Sequence, residues 1–123
     1  MIGEIYIAIV PYFDVNSRQI KAKKRPVLIV ADIDSRDYAF LPISTVKNSG
    51  YINPEYDIEI NPESFPDTVL EKSYVRANKQ SYIHKYNLLY KASDLKTKYP
   101  DLYETILQKR EKFNNEITKQ SRS

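Results

Sequence analysis

Arg25 stands where a basic run (Arg18, Lys21, Lys23, Lys24, Arg25) meets an apolar one that opens at Pro26 and continues through Val30. A guanidinium at the mouth of a rigid strand can grip a phosphate with two parallel donors, a geometry that a lysine ammonium lacks. Ser44 and Thr45 close the next apolar run and are followed by Lys47 and Asn48. Hydroxyls at a strand end can bind phosphate oxygens or orient a ribose 2′-hydroxyl. Plain structural uses stand beside these: a surface salt bridge for Arg25, a satisfied turn for Ser44. A second basic interval, with Lys72, Arg76, Lys79, Lys85 and Lys91, contains no acid, while Glu55, Asp57, Glu59, Glu63, Asp67 and Glu71 lie before it. If both basic intervals reach one face, that face attracts phosphate more than a net charge of +3 suggests.

Other chemistries have fewer residues to work with. Cysteine is absent and His84 is the single histidine, so disulfides are excluded and a structural zinc site is disfavoured. Gly3 and Gly50 are the two glycines, too few for a phosphate-cradling glycine loop, and the acidic interval lacks a calcium-loop pattern. What remains is metal-free acid–base or electrostatic chemistry by arginine, lysine, serine, threonine and tyrosine, with no cofactor. Among the tyrosines, Tyr74, Tyr82, Tyr86 and Tyr90 fall in or beside the second basic interval. A ring stacked on a base is worth roughly 1–3 kcal/mol. With 11 tyrosines in the chain, most must pack. His84 has no partner assignable from spacing and reads as an ordinary half-exposed strand residue.

The elements that would position these groups are mostly strands. Residues 5–10 form a bulky apolar run that Pro11 is expected to end, and residues 12–24 read as a polar, basic loop or flexible hairpin. Val27–Val30 and Tyr38–Ile43 are two further strands, joined through Asp32, Asp34, Ser35 and Asp37 as an antiparallel pair. Asn48–Pro54 is a loop, and Tyr56–Ile60 alternates as a half-buried strand. Tyr74–Ala77 and Ser81–Ile83 are two short strands or one broken near Asn78. Tyr99, Tyr103, Ile106, Phe113 and Ile117 then recur at helical spacing, with Pro100 in the first turn and Leu88, Leu89 and Leu95 packing the approach. Short strands joined by turns point to a curled sheet or small barrel closed by a helix. At 123 residues, 41% hydrophobic and 28% charged, the chain has the size of one domain. No apolar stretch approaches a membrane span and the first residues read as a strand, so a cytoplasmic location without membrane contact is expected.

The order Gly3-Glu4-Ile5, then Lys24-Arg25-Pro26-Val27-Leu28-Ile29-Val30, then Leu41-Pro42-Ile43-Ser44-Thr45 resembles the MazF/PemK family of toxin-type endoribonucleases. Asp57-Ile58-Glu59-Ile60, Ser73-Tyr74-Val75, Ile83 and Leu88 match its strand spacing, so the likeness covers roughly residues 3–115. The resemblance implies an SH3-like barrel with a C-terminal helix over residues 1–119, followed by a polar tail at 120–123. It also implies a homodimer, single-stranded RNA as substrate, a protein antitoxin as partner, and metal-independent cleavage by the RNA 2′-hydroxyl. Arg25 takes the place of the family's catalytic arginine and Ser44 that of its hydroxyl residue, with Thr45 a close competitor. Arg18, Lys21, Lys23, Lys24, Lys47, Arg76, Lys79 and Tyr82 would then bind RNA.

Two departures stand out. The segment Asp14–Lys24 is longer, more basic and glycine-free, and Ser81 occupies a position where the family carries an arginine. Arg76, Lys79 or Tyr82 would have to supply the missing contact. Two alternatives stay open: a noncatalytic RNA-binding or regulatory protein on the same barrel, and a protein-interaction domain.

Overall fold

A computed structural model describes residues 1–46 and 48–123. The order is β1 (Glu4–Asp14), β2 (Gln19–Asp32), β3 (Asp37–Ser44), β4 (Asp57–Ile60), β5 (Ser73–Arg76), β6 (Ser81–His84), β7 (Leu88–Asp94), α1 (Leu95–Lys98) and α2 (Pro100–Ser121). All strand pairs are antiparallel, and the sheet runs β4-β5-β3-β2-β1-β7. One edge of β3 is shared: β6 pairs with its first half and β5 with its last two residues. The result is a mainly β fold, a curled SH3-like barrel sheet closed by C-terminal helices.

Both faces of the central strands are buried. On one face Ile5, Leu28, Leu41, Ile43, Ile60 and Val75 pack with Leu95, Tyr103 and Ile106 from the helices. On the other, Ala8, Val27, Ile29, Tyr38, Phe40 and Ile83 form a second cluster. Burial on both faces explains why Val27–Val30 is continuously apolar rather than alternating. The turn after β2 is closed by Asp34, whose carboxylate accepts hydrogen bonds from the Arg36 and Asp37 amides at 2.7 and 2.9 Å. Those backbone donors hold its pKa below the usual carboxylate range.

Gly3 adopts φ +86°, and a Cβ there would lie 2.3 Å from the Lys96 Cβ. Its amide donates to the Ile29 carbonyl and its carbonyl accepts from Lys96 N, so β1 enters the sheet against the start of α1. A residue without a side chain is required at that crossing.

Two expectations need correction, and one open choice is decided. Pro11 does not end the first strand, because β1 continues to Asp14 and Pro11 pairs with Ala22. Pairing with β7 stops at Ala8, so the last third of β1 belongs to a two-stranded ribbon with an open edge, where proline is tolerated. Of the loop and the hairpin expected over residues 12–24, the hairpin is the one formed, paired in register down to Asp14↔Gln19. Leu88 and Leu89 do not merely approach the helix: they open β7, which pairs with β1 through two register shifts.

Downstream, Pro100 begins α2 with Asp101 in the first turn. The helical stripe buries Tyr103 and Ile106, and Phe113 meets Tyr56 edge to face at 5.1 Å. No helix among the described residues is long and apolar enough to cross a membrane.

Candidate functional site

Strand register decides which side chains share a face. Directly opposed residues of an antiparallel pair point the same way, and so do residues two apart along a strand. Val27 pairs with Pro42, and continuing that register brings Arg25 opposite Ser44. Ser44 pairs with Tyr74, and Tyr74 with Glu59. Ala8, Arg25, Ser44, Tyr74 and Glu59 therefore share one face of the sheet, the β2–β3 pairing itself ending at Val27 and Pro42. The adjacent row places Arg76 opposite Asp57 on the same face.

A cleft of about 430 Å³ opens on this face, lined by Arg25, Ser44, Thr45, Val46, Asn48, Tyr51 and Arg76. Its outer wall is the loop after β3. The Asn48 side chain accepts from the Gly50 amide and starts a 3-10 turn over Ser49–Tyr51. The Tyr51 carbonyl then accepts a 2.9 Å hydrogen bond from Arg76 Nη2, which ties the loop to β5.

The two arginines of the cleft differ in their commitments. Arg76 donates from Nε and Nη2 to the two carboxylate oxygens of Asp57, at 3.2 and 3.0 Å. Asp57 has a fully buried side chain and also accepts from the Asn53 amide at 2.8 Å. Arg25 forms no salt bridge among the described residues, and its guanidinium lies 5.9 Å from the centroid of the Tyr12 ring. Ser44 and Thr45 have no side-chain hydrogen-bond partner among the described residues. The cleft thus holds a half-buried guanidinium without an acid beside it, next to hydroxyls free to engage a ligand. Chemically this arrangement suits an anion with several acceptor oxygens.

The expected site residues divide accordingly. Arg25, Ser44, Thr45 and Arg76 line the cleft together. Lys21 and Lys23 alternate with Ala22 and so share Arg25's face of the ribbon, with Lys21 paired to Asp14 at 2.8 Å. Lys24 points to the opposite face beside Ile9, and Arg18 sits in the hairpin turn at φ 55°. Lys79 and Tyr82 are exposed and outside the cleft lining, and Tyr82 alternates with Ser81 and Ile83 away from this face. Lys47 lies outside the described residues. His84 caps the short turn before β7 by accepting from the Tyr86 amide at 3.2 Å, and its ring stacks on Tyr86.

Residue types alone did not mark Asn48 and Tyr51 as walls of the cleft, or Asp57 as the anchor of Arg76. A signal existed for Asp57: an acid on an alternating strand, facing a cross-strand arginine once β4 and β5 are paired.

No protein-family profile matches the chain, and no curated protein matches it in sequence. Among solved structures, the Mycobacterium tuberculosis toxin MazF-mt6 is similar at a TM-score of 0.55 and 19% identity, over 86% of this chain and 94% of that one. The likeness is one of fold. It covers most of the length of both chains rather than a fragment of either.

Proposed function

We propose that this chain is a metal-independent endoribonuclease of toxin–antitoxin type that cuts single-stranded RNA with a sequence preference. The observation that carries the reading is the meeting of Arg25 and Ser44 at one cleft, with Arg25 free of any acidic partner among the described residues. A structural arginine on a sheet is ordinarily paired or pointed into water, whereas this one is half-buried beside a tyrosine ring and two hydroxyls. The shared fold with a MazF toxin agrees with the reading.

In this mechanism the RNA supplies its own nucleophile. The 2′-oxygen attacks the adjacent phosphorus, the bond to the 5′-oxygen breaks, and the products carry a 2′,3′-cyclic phosphate and a 5′-hydroxyl. The 2′-proton passes to solvent and the leaving 5′-oxygen takes one up from it. Arg25 donates to the phosphoryl oxygens as negative charge builds, and Ser44 or Thr45 orients the phosphate. A guanidinium offers five donors and no acceptor, so the role of Arg25 is electrostatic rather than that of a base.

The ribbon extends the same face. Lys23 and Arg25 are two residues apart on β2, about 7 Å along the strand, which lets the ribbon follow a sugar–phosphate backbone into the cleft. Lys23→Ala should lower the slope of log affinity against log salt by about 0.7, as expected for one lost phosphate contact on a single strand. Lys24→Ala, on the opposite face, should change that slope less. Salt titrations of binding to a short oligonucleotide compare the two, and equal effects would deny the facing.

The reading carries with it a homodimer and a protein antitoxin with acidic side chains to match the basic ribbon. Support for a protein partner comes from Phe13 and Ile20, which pair across the ribbon on the face away from Arg25 and are 57% and 71% exposed. Sedimentation at micromolar concentration should give twice the chain mass of 14.4 kDa, and a monomer there would count against the dimer. The test of the function itself is incubation of mixed-sequence single-stranded RNA with the protein in chelator. Cleavage is expected. Salt-dependent binding without cleavage would move the chain to a noncatalytic RNA-binding role on the same barrel.

A further inference from the structure

Arg76 is held in a way that a surface arginine rarely is. The Asp57 carboxylate fixes Nε and Nη2, and the Tyr51 carbonyl takes the second Nη2 hydrogen. These three bonds leave Nη1, with its two donors, without a protein partner among the described residues. The side chain is 25% exposed and lines the cleft that Arg25 and Ser44 line. Asp57 in turn is locked by the Asn53 amide and by its cross-strand position opposite Arg76. Surface ion pairs ordinarily use up a guanidinium or leave it mobile. Here the pairing is side-on and fixes the plane while sparing one nitrogen.

From this geometry we infer that Arg76 is a second phosphate-binding group of the cleft, and that Asp57 acts as its positioning residue. The inference rests on the RNA reading above and deepens it: the ligand is a phosphodiester of single-stranded nucleic acid, gripped by Arg25 and by Nη1 of Arg76. Because Arg76 is fixed before the ligand arrives, little side-chain entropy is lost when it binds.

Asp57 gives the inference an unusual sign. Removing an acid from the neighbourhood of an anion site ordinarily strengthens anion binding, since a repulsive charge is lost. A positioning role demands the reverse. The experiment measures binding of a short all-deoxy oligonucleotide, which lacks the 2′-hydroxyl nucleophile, to the full chain at fixed salt. Arg76→Gln should weaken binding about tenfold, and Asp57→Asn should weaken it about fivefold. Glu59→Gln, which removes an acid paired to Lys72 on the same strand, should leave it unchanged or strengthen it.

Asp57→Asn binding as tightly as wild type or tighter, with the fold intact by circular dichroism, would overturn the positioning role. If that variant does not fold, Arg76→Gln and Arg76→Lys decide, and wild-type affinity in both would overturn the inference. A wild type that binds the oligonucleotide through Arg76 but never cuts RNA would defeat the cleavage reading and leave this one standing.

Discussion

Replacing Arg25 by lysine should abolish most RNA cleavage while leaving most RNA binding in place. The substitution keeps a positive charge at the cleft but loses the planar pair of donors that can span two phosphoryl oxygens. Those donors matter most when charge accumulates on the oxygens, so the loss falls on the reacting complex. We expect the single-turnover rate at saturating protein to fall by ~100-fold or more, about 2.7 kcal/mol of barrier. Affinity for an uncleavable strand should change by only a few-fold, because Lys23 and Arg76 still face it. The two measurements separate catalysis from attraction, which a loss of charge by Arg25→Ala would confound. Wild-type cleavage by Arg25→Lys, with folding verified, would remove Arg25 from the mechanism.

The second large effect is on stability. Leu28 is fully buried, paired on one side with Ile5 and on the other with Leu41, and packs against the helix residues Leu95, Tyr103 and Ile106. It therefore joins three strands to the closing helix. Leu28→Ala should cost about 2–5 kcal/mol, from lost burial and from the cavity that the rigid sheet cannot close. Thermal unfolding should move down by about 10 °C or more for a chain of this size. Arg25 lies three residues earlier on the same strand, yet its face is the opposite one. At low temperature, where the variant remains folded, the cleavage rate should match wild type. A Leu28→Ala protein that melts with wild-type behaviour would contradict the packing described here.

Much of the cleft's lining was legible in the residues because it lies at the ends of strongly apolar runs. Val27–Val30 and Leu41–Ile43 announce central strands, and residues just outside such runs, Arg25 and Ser44, emerge where the sheet stops being buried on both faces. The antiparallel pairing of those strands then makes them neighbours. The Asp57–Arg76 pair was not legible for the complementary reason. Its partners are nineteen residues apart on short strands, and their meeting depends on a β4–β5 register with no tight turn to set it. Asp57 looks like one of several surface acids until that register is known.

The end of the first strand and the whole of the last one were misread through burial. Both faces of the ribbon beyond Ala8 are largely open to solvent, so no alternation marks Tyr12–Lys24 as strands, and Pro11 looks like a stop. β7 is an exposed edge whose Leu, Lys and Ala residues suit a helix as well as a strand, and it is held mainly by β1. Local composition could not decide a conformation that the neighbouring strand imposes.

In the proposed reaction the RNA 2′-hydroxyl is the nucleophile and the Arg25–Ser44 cleft the place of reaction. It is tested most directly by giving the wild-type protein two strands of identical mixed sequence in chelator, one RNA and one all-deoxy, under single-turnover conditions. The RNA should be cut, leaving 5′-hydroxyl and 2′,3′-cyclic phosphate ends, and the deoxy strand should be bound but stay whole. Cleavage of both strands, 5′-phosphate ends on the RNA products, or an RNA strand left intact would contradict it.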